Sequence, residues 1–179
     1  MVNKKYAADY RLENVRDKNG RLKTVAVYKG RYYRFSAEPA TVRREGRLYA
    51  ALTGLSLLLF AAVLFLNSPL LRQMYVLMPF LFGMLPLGYL TVAVYYILTA
   101  PEKFTRERND KMHDRIAKCT LFLAIFSGAS VIGSAIACLA GIVTLDVQGM
   151  LFFVAATGLL LNALVMFRKK KTFCAAICA

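Results

Sequence analysis

The most reactive side chains in this chain are four thiols, Cys119, Cys138, Cys174 and Cys178. A thiol-disulfide relay needs thiolates within exchange distance of one another and of an acceptor. Cys174 and Cys178 are spaced C-x3-C, which is neither the C-x-x-C redox spacing nor a zinc pattern. Cys138 falls inside an apolar run and reads as a small packing residue. An inner-face thiol-disulfide oxidoreductase built from Cys119, Cys174 and Cys178 is therefore the one enzymatic reading the thiols offer. A prenylation signal needs Cys fourth from the end, and Ala176 stands there. The single histidine, His113, lacks the Cys or carboxylate constellation of a metal site and reads as solvated. No phosphate loop, zinc-protease helix or nucleophile elbow occurs. No catalytic residue, cofactor or metal is expected.

Two further groups of residues could act at depth in an apolar medium. Asn162 carries an amide in the middle of an apolar run and needs a partner on another helix. Pro79 and Pro86, with Gly83 and Gly88 beside them, predict a kink near Pro86, because proline removes a helix hydrogen bond. Pro79, Pro86 and Asn162 are the candidates for a hinge or a solute pathway. No ionisable residue accompanies them, which argues against a self-contained ion-coupled transporter.

The elements that position these residues follow from apolar runs. The chain has 179 residues, of which 58% are hydrophobic and 19% charged. Four segments reach the roughly 20 residues that a helix needs to cross a bilayer. They run from about 48 to 66, 74 to 100, 117 to 143 and 150 to 167. None has Asp, Glu, Lys, Arg or His within its apolar core. Soluble four-helix proteins need a polar face, and these runs leave none. The expected fold is an all-α integral membrane protein. It is a four-transmembrane-helix bundle with a small N-terminal cytoplasmic antiparallel β-meander.

Charge sets the orientation. Thirteen Lys or Arg precede Leu48, six lie between Pro101 and Lys118, and four follow Phe167. The other two connections hold one, Arg72. By the positive-inside rule both termini are cytoplasmic. The predicted division is a basic segment 1–47, a membrane domain 48–167 and a basic tail 168–179. Arg43, Arg44, Arg47, Arg168, Lys169, Lys170 and Lys171 are expected to contact anionic lipid headgroups, each worth about 1 kcal/mol. The tether to the membrane makes lipid a simpler partner than nucleic acid, and no nucleic-acid binding is expected. The apolar end of the tail is expected to dip back to the interface.

Within the third run Ala129, Gly133, Ala137 and Gly141 recur every four residues and should line one helix face for close packing. That face serves either the monomer or a homo-oligomer or partner membrane subunit. Tyr89 lies deep in the second run, so its hydroxyl should find an acceptor within the protein. Residues 8–36 predict three strands. Asn19-Gly20 gives the first turn and Lys29-Gly30 the second. With two-residue turns, Tyr10, Leu12, Val25, Val27 and Tyr32 share one face. Pro39 and Gly46 mark the expected linker to the first span.

The functional expectation is a non-enzymatic multi-pass protein of the cell membrane. It would be an accessory or scaffolding subunit of a larger assembly. The second reading is a small transporter or channel subunit whose pathway forms on oligomerisation.

Overall fold

A computed structural model describes residues 4–16, 22–144, 146–173 and 175–177. The chain is mostly helical. Helices α1 (Pro39–Leu64), α2 (Met74–Phe82), α3 (Met84–Leu98), α4 (Arg106–Leu139) and α5 (Val147–Lys169) form the body. With α2 and α3 taken as one rod, four helices are long and apolar enough to cross a membrane.

Local chemistry fixes the ends of these rods. Pro39 opens α1, where its missing N–H and fixed φ cost nothing. The helix thus starts nine residues before the apolar run, and Arg43, Arg44 and Arg47 ride on its first turns. Pro39 and Gly46 belong to this helix, not to a linker. Asp146 caps α5 by accepting a hydrogen bond from the Gly149 N–H at 2.7 Å. At the far end of α4, Gly141 takes φ +69°. The Ile142 N–H then bonds to the Ala137 carbonyl at 3.0 Å, and the Gly141 N–H to that of Cys138 at 3.1 Å. This pair of bonds is a Schellman stop, so the helix ends at Leu139. Gly141 accordingly lies beyond the helix and is not the fourth member of its small-residue face.

The second rod breaks at Gly83, three residues before Pro86. The Pro86 ring has no N–H for the Phe82 carbonyl. The Gly83 N–H still reaches the Pro79 carbonyl at 3.1 Å, so the two helices remain nearly continuous.

The main helix contacts close a ring. Helix α1 packs on α3 and α5, and α4 packs on α2, α3 and α5. Each rod thus touches its sequence neighbours, and the last touches the first, as in an antiparallel four-helix bundle. Phe60 of α1 stacks on Phe80 of α2 at 4.6 Å, and Phe80 meets Phe152 of α5 at 5.5 Å. Outward-facing positions are also apolar. Leu58 is 69% exposed, Ile132 62% and Val154 67%. Apolar surface of this extent, on every rod, suits hydrocarbon rather than water.

The β-structure differs from a meander. Strand β1 (Tyr10–Arg16) pairs antiparallel with β2 (Leu22–Tyr28). Strand β3 (Tyr33–Phe35) does not join them. It pairs with β4 (Ala175–Ile177) at the other end of the chain. The β1–β2 register joins Tyr10 to Tyr28 and Leu12 to Ala26. Arg16 and Leu22 are then partners across a five-residue connection, 17–21, rather than a two-residue turn. The connection, with Asn19-Gly20, lies outside the described residues. Cross-strand partners share a face, so Leu12 lies with Ala26 while Val25 and Val27 take the other side. A one-residue change of register is enough to exchange the faces.

Candidate functional site

Three distant sequence segments meet at one end of the bundle. Tyr33 and Phe104 exchange backbone hydrogen bonds at 2.8 and 2.9 Å, joining the N-terminal segment to the α3–α4 connection. Tyr33 also pairs with Ile177 of the tail. Beneath them lies an aromatic cluster with one ring from each of four segments. Phe35 contacts Phe104 at 4.9 Å and Phe173 at 6.3 Å, and Phe173 meets Tyr49 of α1 edge-on at 4.9 Å. The Tyr49 hydroxyl donates to the Met166 carbonyl in α5. Phe173 is buried, so the tail folds onto the protein's own N-terminal segment. Lys169 Nζ pairs with both Glu45 carboxylate oxygens at 2.9 Å, closing α5 onto α1.

The hairpin docks against α4. The Tyr6 hydroxyl donates to Asp110 at 3.0 Å. The Tyr28 hydroxyl accepts from the Arg106 N–H at 3.1 Å and donates to the Arg31 carbonyl at 2.8 Å. Burial raises the Tyr28 pKa above its ordinary value, and Asp9 adds to the effect against the opposing Arg106 hydrogen bond. Arg108 donates to the Tyr96 carbonyl at 3.1 Å and to Thr99 Oγ1 at 2.8 Å, a cation on the open carbonyls of α3.

The segments that meet here carry 23 of the 24 Lys and Arg and nine of the ten Asp and Glu. The whole net charge of +14 therefore belongs to this end's segments, and the opposite connections are neutral. Between β3, the start of α1 and the end of α3 lies a groove of about 770 Å³. Arg34, Arg43 and Arg47 line it, with Glu38 and Glu102. Its apolar wall includes Val42, Ile97 and Leu98.

The groove separates the expected headgroup residues. Arg43 and Arg47 line it, and Arg44 is exposed outside its lining. Lys169 is engaged by Glu45. Lys170 lies 3.6 Å above the Phe167 ring. Arg168 and Lys171 close the end of α5 and the turn that follows. Arg34 was not singled out by the sequence, because a lone arginine in a three-residue strand carries no pattern.

The remaining candidates lie inside the bundle. Gly133 and Ala137 are buried, whereas Ala129 is exposed. Gly133 faces Tyr75 and Val76 of α2. Ser130 Oγ, one turn away, donates to the Val76 carbonyl at 3.1 Å. Asn162 Nδ2 donates to Ser56 Oγ at 3.4 Å, between α5 and α1. The Gly83 break instead faces Leu123 of α4. Asn162 and the proline pair thus serve different interfaces. Tyr89 is exposed, with Arg115 5.8 Å above its ring, rather than hydrogen-bonded within the bundle.

Cys119 is buried and Cys138 half-buried, both as free thiols on α4. Nineteen residues of helix separate them by about 28 Å. That span is far beyond the reach of a disulfide. Cys174 and Cys178 lie outside the described residues. Among the described residues no three His, Cys, Asp or Glu gather as a metal site.

The fold and this site define a class no finer than a bundle of four rods apolar enough to cross a membrane, bearing a basic cap. No family model, curated protein or solved structure matches the chain.

Proposed function

We propose that the protein is a non-enzymatic, multi-pass membrane protein with its basic cap and both termini in the cytoplasm. It acts as an accessory or scaffolding subunit of a membrane assembly, at the cell membrane, and contacts anionic lipid through the cap. One observation carries the reading. The three basic segments converge on one end of an apolar bundle, while the connections at the other end are short and uncharged overall. Such asymmetry is what the positive-inside rule requires of a protein with an even number of spans.

The accessory role draws support from the hairpin. Leu12 is 76% exposed and Leu22 71%, on a two-stranded ribbon too small to be stable without cover. A partner subunit would supply that cover. The test is affinity purification from native membranes in mild detergent, followed by mass measurement of the intact complex. The reading expects a stoichiometric foreign subunit. A homo-oligomer free of other proteins would overturn the accessory role.

A further inference from the structure

The groove beside α1 has a composition that a uniformly basic surface lacks. Arg34 arrives from β3, and Arg43 and Arg47 stand one turn apart on α1. Helical residues four apart share a face. Two carboxylates, Glu38 and Glu102, line the same space. Among the described residues none of these five makes an ion pair within the protein. Elsewhere at this end acids do find cations, as Glu45 with Lys169 and Glu107 with Lys111. The groove thus presents separate positive and negative groups to whatever enters it.

Its floor is apolar and lies against the bundle. Ile97 and Leu98 end α3, and Gly46 lets α1 approach them. A methyl group at Gly46 would stand 3.4 Å from Ile97 Cγ2 and 3.5 Å from Leu98 Cδ2. Leu98 is half-exposed, so the apolar wall continues onto the outer surface of the rod. A ligand suited to this space has a polar head with both charges and an apolar body that follows α3 outward.

We infer that the groove is a binding site for one phospholipid whose headgroup carries a phosphate and a primary ammonium. The phosphate lies on Arg34, Arg43 and Arg47, whose guanidinium forks match phosphate oxygens. The ammonium lies toward Glu38 and Glu102. A headgroup with phosphate alone leaves two carboxylates facing an anion. A quaternary ammonium lacks the N–H donors those carboxylates accept. The inference rests on the membrane reading above and adds, to the diffuse contact of the basic cap with anionic lipid, one site selective for this headgroup.

The test is lipid retention by the full-length protein in detergent, counted by native mass spectrometry. The probes are phosphatidylethanolamine, phosphatidylglycerol and phosphatidylcholine at equal concentration. The wild type is expected to hold one phosphatidylethanolamine about tenfold more tightly than either other lipid, a difference near 1.4 kcal/mol. Arg34→Gln/Arg43→Gln/Arg47→Gln should abolish that retention. Arg11→Gln/Arg31→Gln/Lys118→Gln, exposed cations outside the groove lining, should keep it. Glu38→Gln/Glu102→Gln should turn the preference toward phosphatidylglycerol, a gain that misfolding does not produce.

Soluble phosphoethanolamine identifies the source of the headgroup. Competition only at far higher concentration than the lipid supports a lipid ligand, and equal potency overturns it. A wild type that prefers phosphatidylglycerol, or that ignores headgroup, overturns the proposal. So does equal loss in the two triple variants. A protein recovered from membranes yet unselective would defeat this site alone. A protein never found in membranes would defeat the reading beneath it.

Discussion

At Gly133 the backbone of α4 comes so close to α2 that a methyl group would stand 3.3 Å from the Tyr75 carbonyl oxygen and from Val76 Cγ2. The Tyr75 carbonyl is the one that Pro79 leaves without its usual donor four residues on. A small residue on one helix and a proline on the next are therefore complementary parts of a single interface. Gly133→Ala is expected to destabilise the bundle by about 1–3 kcal/mol, through overpacking against backbone. Ala129→Leu, on the exposed side, is expected to leave the melting temperature in detergent unchanged. Thermal unfolding of the two variants checks this, and equal losses would contradict it. Asn162→Leu removes the bond to Ser56 and is expected to cost about 0.6 kcal/mol by the same measurement. The spacing of Ala129, Gly133 and Ala137 was readable from the sequence, but their partner was not. Four-residue periodicity names a face and not what covers it. Gly141 continued the spacing by count alone, because a left-handed stop had already ended the helix.

Among the elements, the cap depends on the tail as much as on the N-terminal segment. Phe173 supplies one ring of the aromatic cluster, and the strand that follows it supplies the partner for β3. Phe173→Ala is expected to cost about 3 kcal/mol locally. Its signature is loss of hydrogen-exchange protection at Tyr33 and Phe104 while α4 and α5 stay protected; unchanged protection would contradict the account. The hairpin has a pH limit of its own. The folded state raises the pKa of Tyr28, so docking favours its neutral phenol. That contribution is complete below the ordinary value of 10.0 and is lost as pH rises through the raised value. Exchange protection of the Arg106 amide should therefore fall above pH 10 in the wild type. In Tyr28→Phe, which lacks the accepting hydroxyl, it should be low throughout.

These elements also mark where sequence reading stops. The four apolar runs were legible because a bilayer demands about 20 apolar residues in a row. The start of α1 was not, because hydropathy is blind to the charged turns that continue the same rod. The β3–β4 pairing joins residues about 140 positions apart, and short strands carry no mark of a distant partner. The hairpin pairs Arg16 with Leu22, one residue away from the register that a two-residue Asn-Gly turn would set. The groove was illegible for the same reason as β3–β4. Its arginines come from two elements that only the tertiary fold brings together.

For the whole molecule, an apolar bundle joins a cap whose segments carry the whole net charge of +14. If the cap faces the cytoplasm, every polar segment of size is inside, and the outer surface is two short connections. The most direct test replaces the four native cysteines with serine and installs single reporters, Thr144→Cys at the far end and Ser36→Cys in the cap. Each is treated with a membrane-impermeant maleimide on intact cells and again after permeabilisation. The account predicts labelling of Thr144→Cys in intact cells and of Ser36→Cys only after permeabilisation. Labelling of Ser36→Cys in intact cells would contradict it.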